Sequence, residues 1–144
     1  MSARNIIVVF PLAIWLLAEA SGCGGGGPTR YELSGKVTFE GKSIPHGRIV
    51  FEPDASKKNA GPQGFANIKD GQFDTSDGGQ GHIGGAHLIR VEGFDAVPGA
   101  GAPPKPLFNA YQSSADLPQE KSTKDIDVPK SAAKDLQIST GPPP

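Results

Sequence analysis

Glycine and proline punctuate this chain so densely that no long helix can be written through it. There are 20 glycines and 14 prolines among 144 residues. Both weaken helix interiors, glycine through backbone entropy and proline through a lost donor and a ring clash. Helical bundles and long coiled coils are thereby excluded. The density approaches that of disordered chains, but the apolar residues are gathered into short runs bounded by turn signals. The length suits one domain. A formal charge of −1 leaves no basic excess for a nucleic-acid footprint, so nucleic acid is not an expected partner.

The apolar runs alternate with polar residues. Tyr31, Leu33, Gly35, Val37 and Phe39 fall on one face and Glu32, Ser34, Lys36 and Thr38 on the other, the period of a half-buried strand. Glu40-Gly41-Lys42 reads as a turn, and Arg48-Ile49-Val50-Phe51 as a second strand that Pro53 closes, since proline cannot donate to a ladder. A short strand over 64–68 and another over 72–75 flank Lys69-Asp70-Gly71-Gln72, whose Asp-Gly pair is a strong hairpin signal. Further strands are expected over 87–94, over 123–128 with Ile126 and Val128 inward, and over Leu136-Gln137-Ile138. Phe39, Phe51, Phe65 and Phe73 supply core area from four strands, about 1.5–3 kcal/mol each if fully buried. Gly35 in mid-strand marks a bulge or a close approach. Residues 54–62, 77–85 and 95–106 read as loops, the last long enough to be either mobile or functional. The expected architecture is all-β, an antiparallel β-sandwich of about seven strands over 31–140, followed by a stiff proline-rich tail at 141–144.

Ahead of that domain, Arg4 precedes an apolar run over 6–18 that contains Pro11. A spanning helix needs about 20 apolar residues. A charged start with a shorter apolar core is the pattern of a secretory signal. Ala20, Ser21 and Gly22 follow, then Cys23, the only cysteine. Ala20-Ser21-Gly22-Cys23 resembles the lipobox of bacterial lipoproteins, with Ala20 where leucine is most usual and Glu19 atypical before it. The resemblance implies a signal peptide over 1–22, cleavage before Cys23 and acylation of that cysteine. Several acyl chains give stable anchoring where one does not. An ordinary secretory signal with an incidental cysteine, or an uncleaved anchor, are the alternatives. Gly24-Gly25-Gly26-Gly27-Pro28 then reads as a flexible tether within 23–30, spanning on the order of 10–15 Å. No other cysteine remains, so the domain must hold together by its core alone.

Two further stretches carry a resemblance. Leu33-Ser34-Gly35-Lys36-Val37-Thr38-Phe39 leads into Gly41-Lys42-Ser43-Ile44-Pro45-His46-Gly47-Arg48-Ile49-Val50-Phe51. Later, Asp70-Gly71-Gln72-Phe73-Asp74-Thr75 precedes Gly84-Gly85-Ala86-His87-Leu88-Ile89-Arg90-Val91. Together they resemble the carboxypeptidase regulatory-like, or transthyretin-like, β-sandwich. The motifs are structural, so the resemblance implies a fold and an envelope lipoprotein, and fold alone carries no activity.

No catalytic constellation emerges. The transthyretin-related hydrolases of hydroxyisourate end in a Y-R-G-S-like motif, where this chain has Gly141-Pro142-Pro143-Pro144. There is no G-x-S-x-G elbow and no H-E-x-x-H pair. His82 and His87, with Asp77 nearby, sketch a weak metal site, but three or four ligands are usual. The plainer expectation is that these two and His46 face solvent. Asp70, Asp74 and Asp77 invite calcium without the order of an EF-hand loop, and the hairpin explains Asp70-Gly71. Lys57-Lys58 is a solvated pair. Gly78-Gly79-Gln80-Gly81 lacks the helix a phosphate loop needs and reads as a flexible loop.

The expectation is a non-enzymatic lipoprotein of the cell envelope with no cofactor and no metal, anchored to membrane lipid through Cys23. Its β-sandwich would serve as a structural or binding module for a protein or glycan partner. Gly24, in place of a retention aspartate, slightly favours the outer membrane, with the domain in the periplasm or at the cell surface. The alternative is an exported small-molecule or metal-ion binder that uses the sandwich loops at one end.

Overall fold

The computed structural model describes residues 26–99 and 101–137. The signal segment 1–22, Cys23, Ile138 and the tail 141–144 lie outside the described residues. The chain is all-β: β1 (Leu33–Phe39), β2 (Lys42–Ser43), β3 (His46–Pro53), β4 (Gly64–Lys69), β5 (Gln72–Asp74), β6 (Gly85–Phe94), β7 (Tyr111–Leu117), β8 (Ser122–Thr123) and β9 (Ile126–Val128). Seven strands form one curled sheet in the order β2-β1-β5-β4-β3-β6-β7, with antiparallel neighbours throughout. The seven-stranded antiparallel sheet is the one expected, and β8 and β9 add to β1 off this path and run parallel to it. The first half of β1 is thus held between β5 and β8, and its second half between β2 and β9.

Alternation carries the core. Leu33 and Val37, Ile49 and Phe51, Ala66 and Ile68, Phe73, Ile89 and Val91, and Ile126 and Val128 share one buried cluster with Ile44, Phe108 and Leu117. Residues from both arms of the sheet meet in that cluster, as the two layers of a sandwich do. The β4–β5 hairpin closes on Asp70 (φ 50°) and Gly71 (φ 75°), both left-handed as a type I′ turn requires. A Cβ on Gly35 would lie 2.0 Å from the Lys124 carbonyl oxygen, the close approach expected at that glycine.

Two sequence expectations need correction. Phe65 is not core: the register Phe51↔Gly64 turns Gly64, Ala66 and Ile68 inward, and Phe65 lies half-buried on the outer face beneath the Arg48 guanidinium, 4.4 Å from its ring centre. Leu136-Gln137 belongs to a 3-10 helical segment, Lys130–Gln137, not to a strand. Pro129 ends β9, and the run that follows has no period-two alternation. In place of that strand stands β7, hidden in the sequence because its inward residues, Tyr111, Ser113, Ala115 and Leu117, include only weakly apolar ones.

The antiparallel steps fix the direction of every strand. The connections at 54–63, 75–84 and 118–121 lie at the end where β1 begins, where the expected tether would enter, hence the tether end. Those at 40–41, 70–71 and 95–110 lie at the far end, together with the chain leaving β9. The three long loops therefore do not gather at one end.

Candidate functional site

The tether end is closed by backbone contacts. Arg30 Nη1 donates to the carbonyls of Gln63 (3.1 Å) and Gly81 (2.7 Å). Tyr31 and His82 exchange two backbone hydrogen bonds, of 2.8 and 3.1 Å, and Phe65 and Gln80 exchange two more, of 2.9 and 2.8 Å. Asn59 Nδ2 donates to the carbonyls of Gly84 (2.9 Å) and Ala86 (2.7 Å). The glycines of 77–85 thus permit contact. A Cβ on Gly81 would lie 2.3 Å from the Tyr31 carbonyl oxygen, and one on Gly79 2.3 Å from that of Phe65. The expectation of a flexible loop gives way to a strap laid against Tyr31, just ahead of β1, and β4.

Beneath this strap sit His82 and His87, 0% and 1% exposed, which overturns their solvent-facing assignment. Their rings stand 5.7 Å apart and nearly perpendicular, at 84°. The Gly84 N–H donates to His82 Nδ1 at 3.0 Å, so in neutral His82 the proton resides on Nε2. His87 Nδ1 lies 2.8 Å from the Gly85 carbonyl and must donate there. Both Nε2 atoms are buried and have no hydrogen-bond partner among the described residues. Burial first, and the neighbouring His87 second, push the His82 pKa down to about 4, so the ring is neutral at pH 7.

This arrangement does not build the sketched metal site. The nitrogen that His82 could turn toward a metal carries its proton. Asp77 is exposed and paired with Lys69 at 3.2 Å. Among the described residues no group of three or more His, Cys, Asp or Glu side chains is set to hold a metal ion. His46 is half-buried at the far end of β3, its ring centre 6.2 Å from that of Phe94.

The calcium candidates border an open groove of about 690 Å³ beside Gly35 and Phe73. Asp74 Oδ1 accepts from the Ser76 hydroxyl (2.6 Å) and N–H (2.8 Å). Those bonds hold its carboxyl below the usual range. Asp125 Oδ1 accepts from the Lys36 N–H at 2.8 Å. Asp74, Asp77 and Asp125 thus bind the fold's own donors. Asp54, placed in a polar loop by its sequence, is buried. It caps the short 3-10 turn Ala55–Lys57 by accepting from the Ser56 N–H at 3.0 Å.

At the far end, a cleft of about 290 Å³ opens between Phe39, Pro45 and Leu107, rimmed by Glu40, Lys42 and Asp95. The loop 95–106 rises beside it on a pinned base. The Asp95 N–H donates to the Lys105 carbonyl (3.0 Å), and the Lys105 N–H to Asp95 Oδ1 (2.8 Å). Val97 on this loop, 51% exposed, is the one exposed large hydrophobic side chain among the described residues.

Searches against family models, curated proteins and solved structures return no match to this chain. The buried imidazoles were missed by sequence reasoning, although a signal existed. Counting back by twos from Val91 and Ile89 puts His87 on the inward face of β6. No comparable signal marks His82, whose burial depends on the strap pairing with Tyr31.

Proposed function

We propose that the chain is a non-enzymatic lipoprotein of the bacterial cell envelope, acylated on Cys23, whose β-domain is a structural or binding module of the carboxypeptidase regulatory-like kind. The observation that carries this reading is the position of the only cysteine, directly after Ala20-Ser21-Gly22 and a short apolar run. An all-β domain whose first strand starts at Leu33 suits it, since only a short glycine tether separates Cys23 from the fold. Acyl chains on Cys23 would hold the domain to membrane lipid, and the outer membrane is slightly favoured. The loops 54–62 and 77–85 would then lie nearest the point of attachment. The loop 95–106 and the cleft beside it would lie at the opposite end of the strands, open to the periplasm or cell exterior, where a protein or glycan partner is met. The non-enzymatic part draws support from the chemistry of the buried pair, two imidazoles sealed from solvent whose hydrogen bonds among the described residues go to backbone groups alone. A small-molecule binder built from converging loops draws less support, because the three long loops lie at opposite ends.

Mass spectrometry of the protein purified from membranes tests the reading. The expected result is an N-terminal Cys23 carrying diacylglycerol-type lipid, with Cys23→Ser moving to the soluble fraction. Full membrane retention of Cys23→Ser would overturn it.

A further inference from the structure

The two edges of the sheet are guarded very differently. At the β1 edge, β2, β8 and β9 are two or three residues long. Lys42, Lys121, Lys124, Asp125 and Asp127 stud that side. Short, charged edges discourage pairing with another chain. The β7 edge runs seven residues, Tyr-Gln-Ser-Ser-Ala-Asp-Leu, with no proline, no glycine and no lysine or arginine. Among the described residues β7 pairs with β6 alone, and no other backbone hydrogen bond there involves 111–117. A groove of about 450 Å³ separates Tyr111 and Gln112 from Pro129, Ser131 and Ala132, so the 3-10 segment does not close the edge. Tyr111 and Ala115 pack against the core yet stay half-buried, as inward residues do when a sheet stops one strand early.

We propose that two copies of this chain associate through their β7 edges, antiparallel and centred on Ser114, which continues the sheet from one molecule into the next. The sequence of the strand selects a second copy as the occupant. With Ser114 opposite Ser114, all seven residues pair. Gln112 then faces Asp116 of the other copy, twice, so the strand's only charge meets an amide donor. Ser113 faces Ala115 and Tyr111 faces Leu117, keeping the inward face apolar or small throughout. Centring on Asp116 instead would oppose two carboxylates, which is destabilising for directly opposite residues. A centre at Ser113 or Ala115 shortens the ladder and draws in Ala110 or Pro118. The contact is isologous and closes as a twofold dimer, with no open filament. Its axis stands perpendicular to the sheet at this edge, so both tethers reach one membrane when that axis lies along the membrane normal, with the β7 strands parallel to the membrane plane and the two points of attachment on opposite sides of the axis.

Register-specific crosslinking of the full-length chain in detergent tests the proposal. Residues directly opposite have Cβ atoms about 4.5–5.5 Å apart, near the separation a disulfide spans. Under mild oxidation, Ser114→Cys is expected to form disulfide-linked dimer. In the same register Gln112 and its own copy are about 13 Å apart along the strands. Gln112→Cys is therefore expected to crosslink about tenfold less or weaker still, because disulfide geometry does not reach that far. The parent chain, run beside both, sets the baseline for Cys23. Ser114→Lys, which opposes two cations at an exposed position, is expected to sediment as a monomer where the parent sediments as a dimer. Three results would overturn the proposal: a Ser114→Cys chain that stays uncrosslinked, equal crosslinking of Gln112→Cys, or a parent chain that sediments as a monomer.

Discussion

At the end where β1 begins, the tether end, the domain is closed by backbone hydrogen bonds, glycines in close approach and two buried imidazoles. At the other end it is closed by side chains. Ile44, Phe108 and Val128 are buried there, the Phe39 and Phe108 rings stand 5.1 Å apart, and Gly93 leaves room for Ile44 and Phe108 to reach over β6. The first kind of closure depends on donor and acceptor geometry, so it should be sensitive to added atoms and to protons. The second depends on area removed from water, so it should respond to lost volume and ignore pH.

The largest test falls on the far end. Phe108→Ala removes the side chain that caps it and is expected to destabilise by about 3–5 kcal/mol, as aromatic truncations in cores do. Urea denaturation measures it, and a loss under about 0.5 kcal/mol, inside the range of neutral surface changes, would show that Ile44 and Val128 seal this end without it.

At the tether end the proton is the probe. A histidine held neutral by burial has a folded pKa below its unfolded value of about 6.5. Below that value the unfolded chain takes up a proton that the folded chain refuses. His82 thus contributes stability that is fully present above pH 6.5 and drains away as pH falls toward its folded pKa of about 4. The gap amounts to about 3 kcal/mol at roughly 1.4 kcal/mol per pH unit. His82→Gln keeps a carbonyl able to accept the Gly84 N–H and has no titration. The difference in stability between parent and variant should therefore shrink from pH 7 to pH 4.5. A difference that stays constant across that window would place the acid sensitivity elsewhere. Asp54 and Asp74 act in a lower window, because their carboxyls are held below the usual range by bonds from Ser56 and Ser76.

Paired alanines sharpen the contrast. At Gly81 the new methyl would meet the Tyr31 carbonyl at 2.3 Å, backbone against backbone. At Gly93 it would meet Ile44 and Phe108 side chains at 3.0 Å, which can turn. Overpacking typically costs about 1–3 kcal/mol, and Gly81→Ala is expected at the upper end, Gly93→Ala at the lower. Equal thermal shifts would mean the strap yields as easily as a side chain.

The same division explains what the sequence revealed. Strands whose inward positions are strongly apolar, such as Val37 in β1 or Ile49 and Phe51 in β3, could be read from alternation alone. So could the Asp70-Gly71 turn, where one dipeptide fixes the backbone. β7 could not, because Ser113 and Ala115 are inward only by virtue of pairing with β6. The parallel partnership of β9 with β1 is non-local, and alternation says nothing about direction. At the tether end, a run of glycines looks the same whether it is loose or pressed against a neighbour. Only the facing carbonyls of Tyr31 and Phe65 distinguish the two, and they lie far away in sequence. Cys23, by contrast, rests on sequence alone.

The smallest effect is expected within the far end itself, between the loop 95–106 and the side chains at its foot. Its base is held by the Asp95–Lys105 exchange and by the bridge from Phe94 to Pro106. Above that base, Val97 is half exposed, and Gly99 and Gly101 sit at φ 90° and 110° with nothing within 4 Å of an added Cβ. Replacing 97–103 by a two-residue turn removes no described core contact and shortens the closed loop. Loop closure changes slowly with length, by about 0.6 kcal/mol per halving, so stability should stay within about 1 kcal/mol of the parent or rise slightly. Asp95→Ala, which removes the acceptor for the Lys105 N–H, should lose more than the deletion does. A deletion that destabilises as much as Phe108→Ala would mean that the tip is part of the far-end closure. A neutral one leaves it free for contact with a partner, and crosslinked envelopes from cells carrying the stable, shortened protein then report whether any partner has been lost.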